Sequence, residues 1–195
     1  WFSYVLHASI FNLIITLSTF FILKKFRLNI NLCFFYSICV AILTYPTAGT
    51  PFSDHHTLIL CVISLYLFFI AVKFEKKFIW FLIPLFLGFS FLSKQAPTAY
   101  FVILISILSI VYFGLRKNYI DLLYAFFGFI FILSSFFLLL FLAEINFNDF
   151  LIQYILFPQS LGSSRLEWVF PLEFNRFVLR YKLHYLSISI FFILL

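Results

Sequence analysis

The sequence predicts an all-α protein, a polytopic bundle of transmembrane helices. Of its 195 residues, 65% are hydrophobic and 10% are charged, and the mean hydropathy is +1.13. Soluble domains carry about 25% charged residues, so this composition excludes a soluble core. The apolar residues also occur in runs close to the roughly 20 residues that an α-helix needs to cross a bilayer.

About seven membrane helices are predicted, each ended by a charged or turn-forming segment. Their expected ranges are 4–23, 28–45, 57–72, 78–92, 98–115, 119–143 and a seventh from residue 183 onward. The sequence begins at Trp1, contains no Met and ends within an apolar run. We therefore expect residues 1–195 to be a single transmembrane domain, a fragment of a longer chain that is incomplete at both ends.

The distribution of basic residues predicts which connections face the cytoplasm. Alternate connections carry the basic clusters: Lys24, Lys25 and Arg27; Lys73, Lys76 and Lys77; Arg116 and Lys117. Basic residues in short loops stay in the cytoplasm. The segments 46–56, 93–97 and 144–182 are therefore predicted to be extracytoplasmic. Basic residues also occur in the last of these segments, where acidic residues balance them.

A short amphipathic helix is predicted at residues 150–157, within the last outer segment. Asp149 is expected to cap its start and Pro158 to end it. Leu151 and Tyr154 provide apolar surface on one side. Such a helix is expected to lie in the membrane interface.

The polar stretch 47–56 separates two apolar runs and contains the first candidate site. Asp54 beside His55 and His56 is costly at a membrane unless it has a function or an aqueous position. Carboxylate oxygen and imidazole nitrogen are ligands for Mg²⁺, Mn²⁺ or Zn²⁺, so these three residues are candidate metal ligands on a loop. Alternatively, Ser53 or Asp54 caps the third helix and the histidines lie at the interface. Both interpretations stay open.

Two cations are candidates for binding a phosphate group. Lys94 lies in a short outer connection, against the bias that keeps Lys inside, and Arg165 lies in a more exposed loop. The alternative is that each side chain extends along apolar surface to water. His7 lies near the outer end of the first helix and is interpreted as a packing or interface residue.

Several other kinds of site are not indicated. The sequence contains no phosphate-binding glycine loop, nucleophile elbow or paired zinc motif. Cys33, Cys39 and Cys61 lie within apolar runs and are interpreted as small buried side chains. The net charge of +6 is explained by the membrane-flanking clusters, so no nucleic acid partner is predicted.

Three features follow one another between residues 45 and 115. Asp54 precedes a helix, a basic turn covers residues 73–77, and the next helix ends with Gly88, Leu92, Ser93 and Lys94. This order resembles the C-type (GT-C) superfamily of integral-membrane glycosyltransferases, in its protein-mannosyltransferase and aminoarabinose-transferase branch. That branch has an outward Asp, a cytoplasmic basic turn and a Gly-x-x-x-Leu-(Ser/Thr)-Lys ending. The stretch from Gly49 to His56 is also similar to the metal-binding loop of oligosaccharyltransferase catalytic subunits. His56 stands in place of the second acid of that loop.

The resemblance implies transfer of a sugar from a polyprenyl-phosphate donor to a lipid, glycan or protein acceptor outside the cytoplasm. It implies a catalytic role for Asp54, with a divalent metal (Mg²⁺ or Mn²⁺) held by Asp54 and His56 or His55. Lys94 and Arg165 are implied to hold the donor phosphate. The family's catalytic base is expected upstream of the fragment.

Two alternatives to this function remain at this point. One is a polysaccharide polymerase or ligase that uses Arg and His in its large outer loop. The other is a transporter subunit, which the near absence of charge at the helix centres disfavours. The expected location is the bacterial inner (cell) membrane, where the chain crosses several times and contacts membrane lipids.

Overall fold

The structure is a computed structural model that describes residues 2–46, 52–117 and 119–160. These residues contain no strand, which confirms the all-α prediction. The helices are α1 (Phe2–Lys25), α2 (Ile30–Thr44), α3 (Ser53–Phe74), α4 (Lys77–Ser93), α5 (Gln95–Arg116), α6 (Tyr119–Leu142) and α7 (Phe147–Leu151). A π-helical turn, Ile152–Leu156, follows α7.

The chain is a membrane protein, because four of its described helices are long and apolar enough to span a bilayer. These are α1, α3, α5 and α6, with 22 to 24 residues each. Large apolar side chains such as Leu43 (82%) and Leu115 (80%) are exposed, a surface that soluble proteins avoid. The apolar helices α2 and α4 are shorter, with 15 and 17 residues. The seventh predicted helix lies outside the described residues, so the number seven stays a prediction.

Helix α3 begins earlier than the sequence predicts. The expected range was 57–72, whereas the helix runs from Ser53 to Phe74. The Phe52 carbonyl accepts hydrogen bonds from the backbone N–H groups of His55 (3.0 Å) and His56 (3.4 Å), so the helical bonding starts there. The first turn of a helix tolerates polar side chains because its N–H groups lack partners further back in the helix. Of the two open interpretations, the loop at residues 54–56 is not found, and the third helix begins at Ser53 as in the alternative, although Phe52 is the N-cap residue and no side chain caps it.

Helix α3 is the centre of the packing in the first part of the chain. It packs against α1, α4 and α5, while α2 packs on α1. One buried cluster joins α3, α4 and α5 and includes Phe68, Trp80 and Phe113. A second joins α1 to α3 through Ile15, Ile59 and Ile63. Van der Waals packing of this kind drives helix association in membranes.

The basic clusters of three connections meet at one end of this packed group, which we call the basic end. The Lys25 ammonium lies 4.8 Å from the centre of the Phe74 ring, and Lys73 lies 4.0 Å from that of Phe26. Arg116 and Glu75 approach to 3.9 Å. The N-terminus of α3 and the C-terminus of α4 lie at the other end, which we call the Asp54 end.

The chain divides into two compact units, Trp1–Phe137 and Leu138–Leu195, and the described part of the second ends at residue 160. Asn146, rather than the expected Asp149, caps α7, since its side-chain oxygen accepts from the N–H of Asn148 at 3.0 Å. Helical structure then continues through Pro158 to residue 160, so the predicted end at Pro158 was wrong. Within this unit Phe150 stacks on Tyr154, and burial raises the pKa of the Tyr154 phenol.

Candidate functional site at the Asp54 end

Asp54 and Lys94 form an ion pair at the Asp54 end. The Lys94 ammonium donates a hydrogen bond to Asp54 Oδ1 across 40 positions of sequence. Asp54 lies in the first turn of α3, where the helix dipole favours a carboxylate. Lys94 is the non-helical residue between α4 and α5. Two of the predicted site residues are therefore brought into direct contact.

This ion pair contributes little to stability. The Lys94 side chain is 39% exposed and the Asp54 side chain 58%. Solvent screens such pairs, and exposed ones typically contribute about 1 kcal/mol or less. An anionic ligand can therefore replace the carboxylate at Lys94 without a large loss of folding free energy.

A buried hydroxyl network lies directly beneath the pair and joins three helices. Ser90 Oγ donates to the Thr57 carbonyl at 3.1 Å and lies 2.8 Å from Thr98 Oγ1 and 3.0 Å from Cys61 Sγ. Thr98 Oγ1 donates to the Lys94 carbonyl at 2.8 Å. All four side chains have 0% exposure. The network fixes the backbone from which the Lys94 side chain extends.

The three predicted metal ligands do not converge. Asp54, His55 and His56 occupy consecutive positions of a helix, and neighbours one or two positions apart do not face each other. His55 stacks on Phe52, with ring centres 6.0 Å apart, while Asp54 is paired with Lys94.

His56 instead faces His7 of α1. Their Nε2 atoms are 2.6 Å apart, although the residues are 49 positions apart in sequence. The Phe11 ring packs against both imidazoles, with ring centres 4.5 Å from His56 and 4.9 Å from His7. The interpretation of His7 as a packing or interface residue did not include this direct contact with a predicted site residue.

These positions do not form the metal site that the resemblance implies. Mg²⁺ requires six ligands, mostly oxygen, at short and regular distances. Among the described residues, no three His, Cys, Asp or Glu side chains come together as a metal site. Mg²⁺ or Mn²⁺ held by Asp54 with His56 or His55 stays a prediction.

An apolar cavity of about 620 Å³ lies between α4, α5 and α6. It extends along α4 from Trp80 to Leu92, two residues before Lys94. Ser106 and Ser109 of α5 contribute hydroxyl groups to a lining that is otherwise almost wholly apolar. Such a cavity can accept an extended hydrocarbon chain.

One predicted site residue lies outside the described residues, and one buried acid was not predicted. Arg165 lies outside the described residues, and so does most of the outer segment 144–182. At the basic end, Asp121 is only 1% exposed, and it is not among the predicted site residues. An acid in the first turn of an apolar 24-residue helix is a sequence signal that could have identified it.

Comparisons with known proteins add no assignment to this geometry. No family model matches the sequence, and no curated protein or solved structure matches the chain. The functional conclusion therefore depends on the residues and contacts themselves.

Proposed function

We propose that the chain is part of a membrane glycosyltransferase that transfers a sugar from a polyprenyl-phosphate donor to an extracytoplasmic acceptor. The observation that carries this proposal is the ion pair of Asp54 and Lys94. It joins the two residues that the resemblance implicates, at the end away from the basic clusters.

Sugar transfer needs a base for the proton of the acceptor and a cation for the leaving phosphate. The acceptor hydroxyl attacks the anomeric carbon, and the bond from that carbon to the phosphate oxygen breaks. The polyprenyl phosphate leaves with added negative charge, which the Lys94 ammonium stabilises. The proton of the acceptor hydroxyl goes to a base outside the described residues, as the resemblance implies, and the Asp54 carboxylate holds Lys94 in position until the donor phosphate replaces it.

The apolar cavity supports this assignment because of where it lies. Leu92 and Trp80 both line it and are twelve positions apart on α4, a distance of about 18 Å along a helix. A phosphate held at Lys94 therefore places its prenyl chain at the mouth of a cavity that runs toward the basic end. Lys94 thus matches the negative charge of the donor, and the apolar cavity matches its hydrocarbon chain.

The arrangement of charge supports an active face outside the cytoplasm. The basic end carries Lys25, Lys73 and Arg116 in contact with neighbouring helices, and basic residues stay cytoplasmic. The Asp54 end then faces outward, in a multi-pass protein of the bacterial inner membrane.

The test is sugar transfer by the full-length protein, measured in membranes supplied with radiolabelled polyprenyl-phosphate sugars. Asp54→Asn and Lys94→Gln are each expected to reduce transfer by about 100-fold or more, the loss found when one group that stabilises the transition state is removed. Lys76→Gln, a charge removal at the basic end, is the matched control and is expected to retain activity. Full activity in both Asp54→Asn and Lys94→Gln, with normal membrane insertion, would contradict the proposal.

A further inference from the structure

Two histidines from different helices meet at the contact of α1 with α3. His7 lies in the second turn of α1 and His56 in the first turn of α3, with ring centres 4.9 Å apart. Their closest atoms are the two Nε2 nitrogens, at 2.6 Å. Each ring therefore directs a nitrogen into the space between the two helices.

The other nitrogen of His56 fixes which atom carries the lone pair. His56 Nδ1 lies 3.0 Å from the Phe52 carbonyl oxygen. A carbonyl oxygen only accepts, so Nδ1 carries the proton and donates to it. In the neutral ring Nε2 is then unprotonated, and its lone pair points at His7. A histidine that donates one N–H to a backbone carbonyl while the other nitrogen faces a second ligand has the arrangement usual for a metal-bound histidine.

Phe11 packs against both imidazole rings, and the His7 ring stays open to an ion. Phe11 is one helical turn after His7 and contacts His56 edge-on, at an interplanar angle of 83°. His7 is exposed and His56 is partly exposed. A cation can therefore reach the nitrogens from the Asp54 end, and the rings need little reorganisation to bind it.

We propose that His7 and His56 form a binding site for a borderline divalent cation, Zn²⁺ in the first place. Two imidazoles suit Zn²⁺, Cu²⁺ or Ni²⁺, whereas Mg²⁺ prefers oxygen ligands. With Zn–N bonds of about 2.0–2.1 Å, two ligands of a tetrahedral ion lie about 3.3 Å apart. The pair must open by about 0.7 Å from 2.6 Å, which small side-chain rotations provide.

Two coordination positions of this ion remain for water or for an oxygen of a bound anion. The site does not depend on sugar transfer, and it uses a ligand, His7, that the predicted metal set did not contain. It also joins α1 to α3 through a metal bridge.

The experiment is Zn²⁺ binding to the full chain, purified in detergent without a polyhistidine tag and without any sugar donor. Competition with a chromophoric zinc chelator is expected to show one bound ion. His7→Ala and His56→Ala are each expected to weaken binding more than about 100-fold, because the loss of even an outer-shell partner costs 10- to 100-fold. His55→Ala, one residue away, is the matched control and is expected to bind as the original protein does. Excess Mg²⁺ should not compete.

A spectroscopic measurement on the unmodified chain avoids variants that fail to fold. Cu²⁺ bound in place of Zn²⁺ is expected to show hyperfine coupling to two imidazole nitrogens by electron paramagnetic resonance. Coupling to other ligands only, unchanged Zn²⁺ affinity in both His7→Ala and His56→Ala, or no Zn²⁺ binding by the unmodified chain would each overturn the proposal. Since no donor is present, failure here is distinct from failure of the proposed sugar transfer.

Discussion

Ser90 links three helices through one hydroxyl group. Its Oγ bonds to the Thr57 carbonyl of α3 and approaches Thr98 Oγ1 of α5, while Ser90 itself belongs to α4. A hydroxyl surrounded by hydrocarbon needs such partners, because no water replaces them. Thr98 also donates to the Lys94 carbonyl, and the Lys94 N–H donates to the Ser90 carbonyl at 3.0 Å, so Ser90 helps to fix the backbone of the proposed phosphate-binding residue.

We expect Ser90→Ala to lower the free energy of unfolding by about 1–2 kcal/mol, since interhelical hydrogen bonds in membranes contribute about 0.6 and up to about 1.7 kcal/mol each. Thermal unfolding in detergent, followed by circular dichroism, measures this loss. Ser64→Ala is the control, because Ser64 is equally buried but bonds only to the Leu60 carbonyl of its own helix. Equal unfolding midpoints for the two variants would show that Ser90 does not link the helices.

At the scale of elements, α4 and α6 approach each other at glycine positions. A Cβ added at Gly128 of α6 would collide with the backbone carbonyl of Phe81 in α4. A Cβ at Gly88 would instead meet the flexible side chain of Ile132. Small residues allow this close backbone contact between membrane helices. The contact also closes one side of the apolar cavity, which residues of both helices line.

Gly128→Ala is therefore expected to destabilise the protein by about 1–3 kcal/mol, the usual result of overpacking against atoms that cannot move aside. Gly114→Ala provides the control, because its added Cβ has no other atom within 4 Å. That control is expected to be neutral or to stabilise α5 by up to about 1 kcal/mol, since Ala favours helix over Gly. Denaturation in mixed detergent micelles compares the two. If Gly128→Ala were as stable as the original protein, α4 and α6 would have to lie further apart than they do in this structure.

The sequence predicts the helices well where hydropathy determines their bounds, and less well at a helix start made of polar residues. Long apolar runs next to basic clusters located α1, α5 and α6 to within a few residues. Hydropathy placed the start of α3 at residue 57 because residues 53–56 are polar, whereas the capping alternative at Ser53 lies close to the observed start.

The candidate site shows the same division between local and distant information. Because the basic clusters lie in alternate connections, the sequence predicts that Asp54 and Lys94 lie at the same end. No local pattern predicts that they touch. The contact of His7 with His56 spans 49 positions and depends on how α1 packs against α3. Hydrophobic periodicity does not contain that information.

At the scale of the whole molecule, the Lys and Arg residues of the described part are concentrated at one end of the packed helices. Of the Lys and Arg residues in the described part of the chain, Lys94 lies at the Asp54 end and the others lie in the three basic clusters. Such a bias sets orientation when the loops are short. Lys94 opposes the bias, and its pairing with Asp54 neutralises its charge on that side.

This separation predicts which end of the protein is accessible from outside the cell. Two cysteines are introduced in turn, Ala96→Cys at the Asp54 end and Lys76→Cys at the basic end, both at exposed positions. The background replaces Cys33, Cys39 and Cys61 with Ser, which keeps a polar group beside Ser90. A membrane-impermeant maleimide is expected to modify Ala96→Cys in intact cells and Lys76→Cys only after permeabilisation, because basic loops remain in the cytoplasm. Labelling of Lys76→Cys in intact cells would show the opposite orientation. The Asp54–Lys94 pair would then lie inside, where an extracytoplasmic acceptor cannot reach it.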